Sequence, residues 1–309
     1  MSKPIRITLG GYGPPNTTCS RGMKIMGDTV ATQFANDVEV HYVWNVMDLG
    51  YKAADLLWMA EDGVLSLSYQ STSYLADRVP EMDLADLPFL FDNLEQARAA
   101  MDGAFGAWMT SKIEQHIPAY RILGYFENGY RHISNQVRPV HTLADLKGMK
   151  VRLMPGDIHR QSFAHLGAVP CPLDLKPGLE AVVSGTVDAQ ENPYANTVDY
   201  GAHTVHRYHT HTAHCYLSRG LYMNRAQFDR WPVELQESMR AAARKAILAQ
   251  RELAIEEERH ARKVIAEAGG EIVQLTPQAR REFVQAVKPL HDAARKRFGN
   301  EVLDLIPRA

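Results

Sequence analysis

The chain has 309 residues, 45% of them hydrophobic and 23% charged, with a formal net charge of -2. That composition is ordinary for a soluble globular protein and leaves room for two domains with substantial cores. The near-neutral balance gives no electrostatic reason to expect nucleic acid or an anionic membrane as partner, and no apolar run approaches a transmembrane span.

The first residues, MSKPIRITLG, lack an apolar h-region and enter a strand pattern at Ile5, so they do not read as a secretory signal. The Gly-Pro-rich loop GGYGPPNTT follows, then a helical pattern from about Ser20 to Phe34. Val38 to Trp44 reads as a strand, Gly50 to Glu61 as a helix, and Val64 to Ser68 as a strand after Gly63. ADLPFLFDNLEQARAAMDG reads as a turn leading into a helix, and a further helical stretch runs to about Gln115. Tyr120 to Asn135 reads as two strands.

The stretch from Leu146 to Pro193 repeats the opening order of elements. Met149 to Met154 is a strand, Pro155-Gly156 a turn, and Asp157 the N-cap of a helix. A strand from Ala168 to Leu173, a second helix ending at Gly185, and a strand from Thr186 to Ala189 complete the unit. Two β-α-β-α-β units with little residue identity predict two lobes whose strand-end loops face a shared cleft, a favoured place for a small ligand. After an apolar-aromatic stretch from Val205 to Met223, a long helix begins near Trp231-Pro232. Its apolar stripe (Leu235, Met239, Ala242, Ala246, Ala249, Leu253) meets no Gly or Pro before Gly269, which is roughly 50 Å of helix. A Thr276-Pro277 helix start and the run Phe283 to Phe298 close the chain.

Two polar residues break the central unit. Arg152 interrupts the apolar run Val151-Arg152-Leu153-Met154, where a guanidinium is costly unless an anion meets it. Its planar fork suits a carboxylate, either that of a ligand or that of an internal Asp or Glu. Asn192 precedes Pro193, which restricts its backbone to extended conformations and aims its amide, towards a ligand or as a turn cap.

LKGMKVRLMP and AVVSGTVDAQENP, with the upstream ADLPFLFDN and ENGYRHISN, resemble the solute-binding proteins of tripartite ATP-independent periplasmic (TRAP) transporters, the DctP family. The resemblance is collinear over nearly the whole chain, and the arginine of KVRLMP and the asparagine of QENP are its most specific marks. It implies a two-lobe periplasmic-binding-protein-like (type II) α/β fold crossed by one long helix. Lobe I is expected over residues 1–124 plus 213–250 and lobe II over 125–212 plus 251–309, with the ligand cleft between them. It also implies an extracytoplasmic receptor without a cofactor or bound metal, monomeric and not itself membrane-embedded. That receptor would pass a small organic acid to integral membrane subunits. Members normally carry a leader, so the sequence is taken as a mature periplasmic form.

In that frame Arg152 holds the carboxylate, Asn192 an adjacent oxygen, and Arg131 of GYRHISN stands where several members place a second ligand arginine. Gln70, Ser71 and Thr72, after the first lobe's third strand, can hydrogen-bond a ligand. Ser71 stands where sialic-acid receptors carry an acid, which argues for a smaller or less polar guest. Tyr12 is a candidate wall. Leu175 falls where relatives often have an aromatic, and Tyr216 and Arg219 lie on a segment that varies with the ligand accepted.

The histidines of HTVHRYHTHTAH (His203, His206, His209, His211, His214) include two on one strand face, but no Cys or carboxylate completes a metal set at an obvious spacing. The three cysteines (Cys19, Cys171, Cys215) form neither a disulfide framework nor a CxxC pair. No GxSxG, HExxH, GxGxxG or Walker loop occurs. The rival readings are a zinc-dependent hydrolase using the same cleft and a receptor for another transporter class.

Overall fold

The computed structural model describes residues 3–307. The chain forms two compact units: one contains the chain up to Ser71, Gly106–Glu127 and Ser218–Ile255, the other Thr72–Phe105, Asn128–Leu217 and the chain from Glu256 on. The strands in chain order are β1 (Ile5–Gly10), β2 (Val38–Val43), β3 (Leu67–Ser71), β4 (Tyr120–Asn135), β5 (Lys150–Leu153), β6 (Val169–Pro172), β7 (Ala189–Asn192), β8 (Tyr208–Asn224) and β9 (Glu271–Gln274). The helices are α1 (Thr18–Phe34), α2 (Asp55–Glu61), α3 (Leu94–Asp102), α4 (Ala104–His116), α5 (Asp157–His165), α6 (Leu175–Val183), α7 (Tyr194–Asp199), α8 (Arg225–Phe228), α9 (Val233–Glu267), α10 (Pro277–Phe298) and α11 (Asn300–Leu303). Strands β4 and β8 and helix α9 each supply residues to both units.

In the first unit β1 runs parallel to β2, from Ile5 opposite Val38 to Gly10 opposite Val43, and to β3. Strand β3 pairs antiparallel with β8, bringing Ser71 opposite Arg219. The alternation in β1 buries Ile7 and Leu9. Helix α1 is capped by Thr17, whose Oγ1 accepts from the Ser20 amide at 3.4 Å, a side-chain cap that satisfies an otherwise orphaned N–H. On α9, Leu235, Met239, Ala242 and Ala246 are buried, as the spacing predicts. Gln250 replaces an apolar residue further along that face, donating to the Glu127 carbonyl at 2.7 Å and accepting from its amide at 2.9 Å. It thereby clasps one backbone residue of β4 with both ends of a buried amide.

In the second unit β5 lies between β6 and β7, parallel to both, and β7 pairs antiparallel with β4. Helix α10 opens as expected at Thr276, whose Oγ1 accepts from Ala279 N at 3.1 Å, with Pro277 in its first turn. The two-lobe α/β class and the helix contributing to both modules agree with the sequence reading.

Several boundaries move. Tyr120–Asn135 is one strand, not two. Gly50, at φ 88°, ends a short 3-10 turn over Val46–Leu49, so the helix predicted from Gly50 begins only at Asp55. Helix α5 is capped at Gly156, with φ 146°, and Asp157 is its first residue. The last strand of the central unit starts at Ala189 and carries Asn192 at its end. Thr72–Phe105 belongs to the second unit, although lobe I was expected to run unbroken to residue 124. The reason is local bonding: Phe89 N donates to His214 O at 2.7 Å, Tyr130 Oη donates to Phe91 O at 3.0 Å, and the Phe91 and Tyr216 rings meet edge-on. Residues 1–2 and 308–309, the outer ends of the expected lobes, lie outside the described residues.

Candidate functional site

Arg152 lies on β5 between the buried Val151 and Leu153 and is itself only 1% exposed. Its register partners are Cys171 on β6 and Gln190 on β7. Side chains of register partners share a face, so Arg152, Gln190 and Asn192 stand on the same side of the sheet. The guanidinium makes one protein hydrogen bond among the described residues, from Nη2 to the Leu173 carbonyl at 2.8 Å. Its Nε is buried without an acceptor, and among the described residues it forms no ion pair with an acid. Burial lowers its proton affinity from the usual arginine value, and the like charge of Arg131 adds to that. Tyr74, Glu191 and Tyr200 oppose the shift.

Close by, Tyr74 Oη donates to Asp174 Oδ1 at 2.7 Å, immediately after the Leu173 carbonyl that holds Arg152. Burial and the Asp174 charge push the Tyr74 phenol well above its ordinary range, so it stays a donor. Leu175, the first residue of α6, is buried beside this corner.

Asn192 is buried at the end of β7, and its Nδ2 donates to Gln190 Oε1 at 3.0 Å. Pro193 then turns the chain into α7. The first two amides of that helix, Tyr194 N and Ala195 N, donate to the Glu258 carboxylate of α9 at 3.1 and 3.0 Å. A carboxylate from another helix thus supplies the cap that Pro193 cannot. Beside it, His132 stacks on Tyr194 with ring centroids 4.5 Å apart and on His211 at 4.2 Å.

Arg131 is organised differently from the sequence expectation. Its Nε and Nη2 both bond the Glu191 carboxylate, the Nη2–Oε1 distance being 2.7 Å, and Nη2 also reaches the Glu191 carbonyl. His132 pairs with Asn192 across β4 and β7, so Arg131 and Glu191 occupy the opposite face, as diagonal neighbours. His214 joins them, with Nε2 3.4 Å from Glu191 Oε2 and Nδ1 2.7 Å from Thr212 Oγ1. Burial alone would raise the Glu191 carboxyl, but the Arg131 charge and the His214 and Arg131 hydrogen bonds prevail and hold it far below the usual range. The pair is net neutral, so the positive charge expected of Arg131 is cancelled by a protein carboxylate.

The remaining expected residues fall into separate groups. Thr72 and Tyr216 are buried in the second unit, Tyr216 packed edge-on against Phe91 and Tyr130. In the first unit the Gln70 amide is engaged at both ends, donating to Ala53 O at 2.6 Å and accepting from Ser71 N at 2.8 Å. The hydrogen-bonding capacity expected to face a ligand there ties the end of β3 to the segment before α2. Tyr12 is buried. The Arg219 guanidinium lies 5.2 Å from its ring centroid, and Arg219 Nη1 is 2.9 Å from Cys19 Sγ.

The histidine run serves separate partners. His206 Nδ1 meets Ser134 Oγ at 2.9 Å, and His209 Nε2 meets the His206 carbonyl at 3.0 Å. Burial lowers His206 to about 3, and His209 and His211 to about 4. Among the described residues no three His, Cys, Asp or Glu side chains are grouped to hold a metal ion. Sequence reasoning passed over Glu191, although it adjoins Asn192 in QENP and alternation puts it on the face of Arg131. It also passed over Tyr74, Asp174 and Glu258, for which no local pattern existed.

Residues 12–297 match the family described as bacterial extracellular solute-binding protein, family 7. A solute-binding protein of Verminephrobacter eiseniae (strain EF01-2) is 31% identical over 80% of this chain and 72% of its own length. The Escherichia coli (strain K12) 2,3-diketo-L-gulonate-binding periplasmic protein YiaO is 29% identical over 79% of this chain and 70% of its own. Among solved structures, a TRAP periplasmic solute binding protein from Polaromonas sp. JS666 bound to D-erythronate superposes with a TM-score of 0.91. It is 27% identical, with 98% of each chain covered. A match that runs through nearly all of both units shows that this chain belongs to the DctP family of solute-binding proteins.

Proposed function

We propose that this protein is the extracytoplasmic receptor of a TRAP transporter, which captures a small organic acid and delivers it to the integral membrane subunits. The observation that carries this reading is Arg152, a buried guanidinium that among the described residues is held by one carbonyl and by no carboxylate. A buried cation of that kind is stable only if an anion completes it. A ligand carboxylate is the anion that its planar fork suits. Asn192, on the same face, holds an adjacent oxygen, and Leu175 and Thr72 add apolar and polar wall in the same unit. Tyr216, in that unit as well, contributes further wall and tunes which acid is accepted. The protein works as a periplasmic monomer, and the acid is released unchanged, without cofactor or covalent step.

The ligands of two relatives, D-erythronate and 2,3-diketo-L-gulonate, are both carboxylates and support the class. A thermal-shift screen of organic acids tests it, because a ligand that binds only the native state raises the melting temperature. The expected result is a rise with one small acid, followed by saturable binding in calorimetry and no chemical change to the acid. Turnover of that acid would replace the receptor reading with the hydrolase reading. Absence of any carboxylate binder across hydroxy, keto, sugar and dicarboxylic acids would remove the role given to Arg152.

A further inference from the structure

The seat of the Arg152 guanidinium is a missing side chain on helix α6. Gly178 is the fourth residue of α6 and is buried. Its backbone gives no reason for glycine: φ is not in the left-handed region, and its amide makes an ordinary helical bond to Asp174 O at 2.9 Å. Glycine is a poor helix former at such a position. The reason lies across the interface. A Cβ on residue 178 would stand 2.2 Å from Arg152 Nε, 2.9 Å from Cζ and 3.1 Å from Cδ. The helix therefore comes into direct contact with the inner edge of the guanidinium, where Nε is buried without an acceptor. Four residues earlier, Asp174 follows the Leu173 carbonyl that takes Nη2. One short segment thus confines two sides of the same planar group.

We propose that Gly178 is a positioning residue for the carboxylate site, the empty space at its Cα being the seat that fixes the plane of Arg152. Because Gly178 blocks the Nε edge and Leu173 takes one Nη2 hydrogen, the edge open to a guest is the Nη1–Nη2 end. The bound acid is therefore met end-on, its two oxygens facing the two terminal nitrogens. This inference deepens the receptor reading and rests on it for the identity of the guest, but the seat itself exists without ligand. The atoms a Cβ would displace belong to a side chain and not to backbone. A substitution at residue 178 should therefore move the guanidinium and leave the helix where it is.

The test is a four-cornered cycle of Gly178→Ala, Arg152→Lys and the double variant, read first as melting temperature without ligand. Lysine has no Nε–Cζ plane to displace. Alanine at 178 should therefore raise the melting temperature more in the Arg152→Lys background than in the wild type. The second readout is calorimetric affinity for D-erythronate, 2,3-diketo-L-gulonate or succinate, whichever binds the wild type. Gly178→Ala alone should weaken it at least tenfold while melting no lower than wild type. Equal changes in melting temperature in both backgrounds would show that the glycine does not answer to Arg152 and would overturn the seat. Wild-type affinity in Gly178→Ala would overturn its role in binding. If none of the three acids binds the wild type, the receptor reading is what fails, and the ligand-free cycle still decides the seat.

Discussion

Arg131 and Arg152 are both about 1% exposed on neighbouring parts of one unit, yet they are neutralised in opposite ways. Arg131 meets Glu191 through two nitrogens, with His214 behind the carboxylate. Arg152, on the other face, has one carbonyl and a glycine seat. The difference teaches that burial of a cation says little by itself; what matters is whether the fold has already supplied the countercharge. A completed pair is part of the scaffold, whereas an incomplete one leaves hydrogen-bonding capacity, which the proposed function gives to a guest acid.

The largest expected effect is on binding. Arg152→Ala should cost on the order of 3–5 kcal/mol of ligand affinity, two to four decades, because it strands the carboxylate of the bound acid. Titration calorimetry reads this, and the ligand-free variant should melt no lower than wild type, since a partly satisfied buried cation has been removed. Unchanged affinity would erase the distinction between the two arginines.

The converse holds for the completed pair. Glu191→Gln leaves Arg131 without its countercharge and should lower unfolding stability by about 3–5 kcal/mol in urea titration. If it instead abolished binding with stability intact, Arg131 and not the scaffold would be the role in question.

Acid should separate the two sites by sign. The Glu191 carboxyl is depressed, so its contribution is complete above the ordinary glutamate range near pH 4.5 and is lost progressively as pH falls below it. A guest acid with an ordinary carboxyl near pH 4 is protonated first, so affinity should decline while the Arg131 pair persists. Buried histidines impose their own slope. His209 and His211 are lowered from 6.5 to about 4, mainly by burial. Their unfolded forms take up protons first, so stability present above pH 6.5 is lost progressively towards pH 4. Denaturant midpoints against pH check this, and a flat profile between pH 7 and 5 would contradict it.

The smallest expected effect is at Glu258. Glu258→Ala removes the acceptor for Tyr194 N and Ala195 N and should cost about 1 kcal/mol of stability, as loss of a helix cap does. A modest loss of affinity through the Asn192–Pro193 turn should accompany it. An affinity loss as large as that of Arg152→Ala would mean that Glu258 touches the guest.

The sequence by itself determined much of the scaffold. A strand pattern from Ile5 marked β1, a short apolar run marked β5, the three-and-four stripe from Leu235 marked α9, and Thr276-Pro277 marked the start of α10, because these signals act within a few residues. It also singled out Arg152 and Asn192, since a charge within an apolar run and an amide before proline are local anomalies. What the tertiary structure alone decided was which arginine finds an acid and which finds a glycine. Glu191 lies 60 residues beyond Arg131, and Gly178 acquires its meaning only when α6 packs against β5. Those outcomes depend on strand register and on the closeness of helix to sheet. Both are set by the summed packing of distant segments, which no stretch of sequence carries alone.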